Sequence, residues 1–322
     1  MKKNQTSLKS SFLLFLAALI WGVAFVAQSV GMDYMGPCTF NGARFLIGGT
    51  VLLPFIWYQD KRAEQKKTAE AECSKSTQRP ENSACRKADG KLLIAGGVCC
   101  GLALCCASLL QQIGIMYTTV GKAGFITTLY IIIVPFFGIF LKKKIGAKVW
   151  LGAVIAVIGM YLLCMAESFS LSRGDAYVLA CAVVFSVHIL VVDYFSPKVD
   201  SVKLSCLQFY TSGIICTILA FLTETPSWEA LIAGAFPVLY AGVLSCGVAY
   251  TLQVVGQKNV EPTIAALLLS MESVVSVLAG WAILDQKLSG RELFGCVLVF
   301  AAVILVQLPD KICCKRTTSV VD

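Results

Sequence analysis

Glu272 lies in the stretch "ALLLSMESVVSVLAGW" (266–281), a single carboxylate among apolar side chains, with Ser270, Ser273 and Ser276 beside it in sequence. A carboxylate in that setting can bind a cationic group or take up and release a proton. An ionisable side chain inside an apolar helix is costly in lipid, so it faces a cavity or a partner. The competing reading is a structural carboxylate bonded to a neighbouring hydroxyl. On a helix, Glu272 and Ser276 share a face, with Gly280 one turn further. That small, polar stripe either lines a pore or makes a close helix–helix contact.

Other polar groups are embedded in apolar runs. "FITTLY" (125–130) supplies Thr127, Thr128 and Tyr130, and Pro135 follows them, removing a backbone donor and kinking the helix. Tyr250, Gln253 and Gln257 in one run, and Gln111 and Gln112 in another, bring amides that recognise carboxylate or amino groups without fixed charge. Amides of this kind suit zwitterions, and they also tie helices together. Trp21 sits mid-segment beside Gly22, as a cavity wall or a packing residue. Arg44, about two turns into its segment, either snorkels to the outer interface or pairs with Glu272. His188 is the only histidine, a packing residue or a proton relay.

Several chemistries are set aside. The 15 cysteines include no C-x-x-C pair, and a lone histidine cannot complete a zinc-type set, so no metal is expected. Most cysteines fall inside apolar segments and read as small packing residues; Cys313 and Cys314 are juxtamembrane. G-x-x-x-x-G-K-[ST], H-E-x-x-H and G-x-S-x-G are all missing. An ATP-driven pump and a membrane-embedded enzyme are therefore not expected, and neither is a cofactor.

The elements that must position these groups are membrane spans. The chain has 322 residues, 57% hydrophobic and 14% charged, against about 45–50% and about 25% in soluble domains. Ten apolar segments follow one another at roughly 10–30, 38–58, 92–116, 122–141, 147–165, 175–195, 203–222, 232–256, 262–284 and 289–308, without period-2 alternation. The first has basic residues before its apolar run, like a signal peptide, but reads as an uncleaved first helix because nine similar runs follow. The interval 59–91 is polar and reads as a flexible cytoplasmic loop; it mixes six acids with nine bases, and no nucleic-acid partner is expected. With the N-terminus inside, 22 Lys and Arg fall on the cytoplasmic side and four outside, and 13 still face four when the long loop is left out. The positive-inside rule then puts both termini in the cytoplasm of a cell membrane, as in a bacterial inner membrane.

The two halves resemble each other. "KKKIGAKVWLG" (142–152) matches "LDQKLSGRELFG" (284–295), pairing Lys144 with Lys287 and Gly152 with Gly295; upstream, "IG" (113–114) meets "VG" (255–256). An odd number of helices per copy forces the second copy to enter from the opposite side. The expected fold is thus all-α and integral to the membrane, with ten transmembrane helices as two inverted five-helix repeats. The first repeat spans 10–165, the second 174–308, and 309–322 is a cytoplasmic tail. Inverted repeats allow a central site to open to either face in turn. Gly152-x3-Ala156 is a small-xxx-small pattern that packs helix five against helix ten or against a second copy in a homodimer.

"AALIWGVAFVAQSVG" (17–31), "NGARFLIGG" (41–49), "QQIGIMYTTVGKAGFITTLYIIIVPFFG" (111–138) and "AYTLQVVGQKNVEPTIAALLLSMESVVSVLAGWAIL" (249–284) together resemble the drug/metabolite transporter superfamily, EamA type. The resemblance runs from about 12 to 308. It departs at Ser273, where the family often has proline after the glutamate, at Asp285, where it often has Glu, and in the long 59–91 interval. The resemblance implies ten helices, a central substrate cavity and alternating access. The function expected is a secondary, non-ATP transporter of a small organic metabolite, an amino-acid-like compound or a drug, with export as one direction. Its partners are a small-molecule substrate and membrane lipid. The alternative is a membrane-embedded sensor or scaffold without transport.

Overall fold

The computed structural model describes residues 2–73, 83–118, 120–140, 146–164, 172–284 and 289–307. The expected tail 309–322, with Cys313 and Cys314, and the aligned Lys144, Asp285 and Lys287 lie outside them. Every regular element among the described residues is a helix: α1 (Lys2–Gly31), α2 (Pro37–Cys73), α3 (Ser83–Ile115), α4 (Val120–Thr127), α5 (Tyr130–Phe140), α6 (Ala147–Cys164), α7 (Arg173–Phe195), α8 (Ser201–Thr223), α9 (Trp228–Ala233), α10 (Ala235–Leu239), a π-helix (Tyr240–Tyr250), α11 (Thr251–Gln257), α12 (Pro262–Leu269), α13 (Met271–Leu284) and α14 (Gly290–Gln307).

Eight stretches are long and apolar enough to cross a membrane among the described residues, and Ala147–Leu162 and Leu293–Val306 are shorter apolar helices. The surface explains why. Phe12, Leu53, Trp57, Phe136 and Phe221 face outward, while Gln112, Ser212, His188 and Glu272 are buried. Lipid removes the penalty on apolar surface and leaves exposed polar groups without partners, so the exterior is apolar as well as the core and the polar side chains of the spans turn inward.

Local chemistry sets several helix ends. Ser172 and Asp175 form a reciprocal capping box at the start of α7, and the Asp200 side chain accepts from the N–H groups of Val202 and Lys203 at the start of α8. Pro262 occupies the first turn of α12, where its missing N–H costs nothing. The interval 59–91 is more regular than its composition led us to expect: α2 runs on to Cys73 and α3 begins at Ser83. Runs such as "AEQKKTAEAE" (63–72) cannot build a core, but they consist of strong helix formers, so a helix entering from the membrane simply continues. Lys203 anchors the base of this extension through Asp60, Nζ to Oδ1 2.7 Å.

Two spans are interrupted. Between α4 and α5, Thr128 and Leu129 form a turn, and the Thr128 hydroxyl donates to the carbonyls of Gly124 and Phe125 at 3.1 and 2.9 Å. Between α12 and α13 the turn falls at Ser270, whose hydroxyl donates to Leu267 O at 2.7 Å. Ser273 donates likewise to Ser270 O at 2.8 Å, and Ser273 N–H bonds the same carbonyl at 3.1 Å. Hydroxyl back-bonding competes with the helical ladder and tightens it locally. The second break therefore needs no proline at position 273, and the first lies more than a turn before Pro135.

The packing of the helices shows a recurrent pattern. α2 packs on α8 and α6 on α14; α3 packs on α7 as α1 packs on α11 and the π-helix; α4 meets α13 as α5 meets α12. Gly114 lets α3 approach α7 so closely that an added Cβ would sit 2.4 Å from Val178 Cγ2, and Gly256 brings α11 against α1, 2.9 Å from Leu14 Cγ. An added Cβ at Gly152 would lie 2.5 Å from Val306 Cγ2 of α14, so this small residue is used in helix packing within the chain.

Candidate functional site

Where the interrupted spans meet α1, α2, α3 and α7, a hollow opens inside the bundle. Trp21, Phe25 and Gln28 reach it from one face of α1, at helical spacing. Arg44 reaches it from α2, Gln111 from α3, and Phe185 and Ile189 from α7. The helix breaks supply the rest: Thr127 ends α4, Tyr130 opens α5, Leu269 ends α12 and Glu272 lies in the first turn of α13. The π-helix contributes Ser245 and Tyr250, and Gln253 follows from α11. π-helical turns recur at functional sites because they displace side chains from the regular register.

Glu272 is 5% exposed. The Tyr130 hydroxyl donates to its Oε1 at 2.9 Å, joining residues 142 positions apart. A buried carboxylate without such a donor would carry its full desolvation cost. Trp21 Nε1–H donates to the Ser245 carbonyl at 3.2 Å, and its ring meets Tyr250 edge to face, centroids 4.5 Å apart. Gln111 Nε2–H donates to Thr127 Oγ1 at 3.3 Å. Arg44 is fully buried, so it does not snorkel, and no ion pair joins it to Glu272. Its guanidinium instead lies against Phe40 and Phe45, with Cζ 5.6 and 4.9 Å from the ring centroids.

The hollow thus gathers Glu272, Tyr130, Thr127, Gln111, Trp21, Tyr250, Gln253 and Arg44 from the residues the sequence singles out. Others stand behind it. Ser270 and Ser276 are buried, and their hydroxyls are spent on carbonyls of their own helix. Gln112 donates to the Gln28 carbonyl at 3.0 Å and ties α3 to α1. His188 Nε2 contacts Gln208 Oε1 at 3.1 Å, and its ring packs against Tyr250 behind the wall. Pro135 lies in α5 and is not among the lining residues, and Gly280 lies in α13. No cluster of three metal-ligating side chains is found among the described residues.

A model of the EamA-like transporter family matches the chain twice, over residues 8–165 and 172–308. The chain belongs to the EamA-like transporter family. Among curated relatives, an uncharacterized transporter of Archaeoglobus fulgidus is 28% identical over 296 residues, covering 92% of this chain and 84% of that one. The uncharacterized inner membrane transporter YedA of Escherichia coli K12 is 22% identical, covering 92% and 89%. Protein PecM of Dickeya dadantii is 26% identical over 191 residues, 58% of this chain and 64% of its own. A solved crystal structure at 18% identity shares the fold, with a TM-score of 0.69 over 92% of this chain and 96% of that chain. This EamA-type protein of the drug/metabolite transporter superfamily is therefore a multi-pass membrane protein and a membrane transporter.

Sequence reasoning missed Phe25 and Gln28 as lining residues of the EamA-type chain. Both were within reach, since they lie four and seven positions after Trp21 on one helical face. Ser245 carried no such signal, because it enters through the π-helix register.

Proposed function

We propose that the protein is a secondary transporter, driven without ATP, that carries a small organic metabolite, an amino-acid-like compound or a drug across the cell membrane through the central hollow. In this reading the fifth and tenth spans are the helices containing Ala147–Leu162 and Leu293–Val306, which pack on each other. The chain is then ten helices in two inverted copies, with both termini cytoplasmic. Support comes from the recurrent helix pairing: exchanging each span of the first half for its counterpart in the second returns the main helix pairings. The excess of Lys and Arg in alternate connections supports the orientation.

The observation that carries the reading is the Tyr130–Glu272 hydrogen bond across the hollow, with both residues beside a helix break in corresponding spans of the two halves. Broken helices at the midplane offer a site around which the two halves can rock, and ligand shifts the balance between inward-open and outward-open forms. Glu272 is the group that meets a cationic moiety or a coupling proton. The aromatic rings of Trp21 and Tyr250 form the wall, and Gln253 and Thr127 orient the ligand.

The test is uptake of labelled metabolites into proteoliposomes, with and without an imposed pH gradient. Wild-type protein is expected to transport and Glu272→Gln to lose rate or pH dependence. A Glu272→Gln variant with unchanged rate, affinity and pH response would remove Glu272 from the mechanism, and vesicles that accumulate no metabolite would remove the transport reading.

A further inference from the structure

Arg44 is the one buried group in the hollow whose strongest bonding capacity is unused. It is 2% exposed. Its Nε and Nη2 have no hydrogen-bond partner, and no described carboxylate lies within ion-pair distance of it. The rings of Phe40 and Phe45 attract the cation but accept no N–H from it in the guanidinium plane. Glu272 Oε1 is already taken by Tyr130. Nε and Nη2 are adjacent donors on one edge of the guanidinium, the edge that a carboxylate takes side-on through two parallel hydrogen bonds.

The same hollow holds the complementary deficit. Gln28 Oε1 and Gln253 Oε1 are buried acceptors without a donor. Unused donors on one side chain, and unused acceptors together with a carboxylate on others, call for a ligand that carries both a carboxylate and an N–H donor. Buried polar groups are normally paired, and an unpaired cation is the costliest exception.

We propose that Arg44 binds the substrate carboxylate and that the substrate is a small amino acid, with its ammonium group toward Glu272, Gln28 and Gln253. This rests on the transport reading above and narrows it: a cation without a carboxylate leaves the Arg44 edge empty and is a poor substrate. Arg44 then has the role of a specificity-determining residue in addition to any part in helix packing.

The experiment uses the full-length protein in detergent and in liposomes. Thermal stability is followed with each of the twenty standard L-amino acids; for those that stabilise, the corresponding amide, decarboxylated amine and deaminated acid are compared. A bound ligand raises apparent stability by mass action. At least one amino acid is expected to raise Tm, and its amide and amine are expected to bind at least tenfold more weakly. Arg44→Gln is expected to abolish the preference for the carboxylate, and Arg44→Lys, which keeps the charge and loses the fork, to weaken binding about tenfold. Amide or amine binding as tightly as the parent, a folded Arg44→Gln retaining the preference, or no response to any amino acid overturns the proposal. If Arg44→Gln does not fold, the wild-type comparison of acid, amide and amine decides alone. Liposomes that transport amines or cations but no amino acid would sink this inference while the transport reading stands. Liposomes that transport none of these compounds would count against both.

Discussion

Gly22→Ala tests whether the site is held by the close approach of α1 and α13. A Cβ at position 22 would lie 2.4 Å from Val275 Cβ, 2.6 Å from Val275 Cγ1 and 2.8 Å from the Glu272 carbonyl oxygen. Two of those atoms are fixed by backbone, so no flexible side-chain end can swing away. Restoring ordinary contact at about 3.4 Å requires the helices to part by about 1 Å. Overpacking of this kind costs about 1–3 kcal/mol, and the helix preference of alanine over glycine returns about 1 kcal/mol. Gly90→Ala is the control: among the described residues nothing lies within 4 Å of its Cβ position, so only the helix preference acts and the variant should gain about 1 kcal/mol. The two variants should therefore differ by about 1–3 kcal/mol in opposite senses, read as separated Tm values in detergent. Because Trp21 adjoins Gly22 and the Glu272 carbonyl is one of the colliding atoms, Gly22→Ala should also lower uptake in liposomes while Gly90→Ala leaves it unchanged. Equal Tm values for Gly22→Ala and Gly90→Ala would refute the packing argument.

Four further outcomes follow from the same geometry. A double-mutant cycle with Tyr130→Phe and Glu272→Gln should show coupling of about 1–3 kcal/mol in thermal unfolding, since the 2.9 Å bond is buried; additive effects would mean that it contributes nothing. Gly114→Ala and Gly256→Ala should each lower Tm, because both hold equivalent contacts in the two halves; a neutral result at one position would break the equivalence. Glu224 accepts from Cys38 N–H, Thr39 N–H and the Thr39 hydroxyl at 2.7, 2.8 and 2.6 Å, so Glu224→Ala should cost about 1–2 kcal/mol and speed hydrogen exchange at residues 38–41. Lys203→Ala should change stability by less than about 1 kcal/mol, since its bond to Asp60 is exposed and screened; a larger loss would show that the α2 extension supports the bundle.

The sequence by itself determined the class of the protein. Long apolar runs, each of which must satisfy its backbone internally in lipid, leave helices as the choice, and the described helices fall on all ten expected segments. It also identified Glu272, Tyr130, Trp21, Tyr250 and Gln253 as polar or aromatic groups that needed partners, because burial in an apolar run is costly wherever the helix turns. It did not decide which of them meet. Ser270 and Ser276 looked as eligible as Glu272, but their hydroxyls bond their own helix and need no cavity, whereas the Glu272 carboxylate takes its donor from Tyr130 across the hollow. The helix break at Ser270 lacked its expected proline signal because side-chain hydroxyls produced it. Arg44 could have snorkelled, paired or turned inward; it lies against the nearby rings of Phe40 and Phe45, and its inward direction depended on the packing of α2 against α8 and the π-helix, which lie far along the chain. Local periodicity fixes what a segment can face, and only the assembled helices fix what stands opposite it.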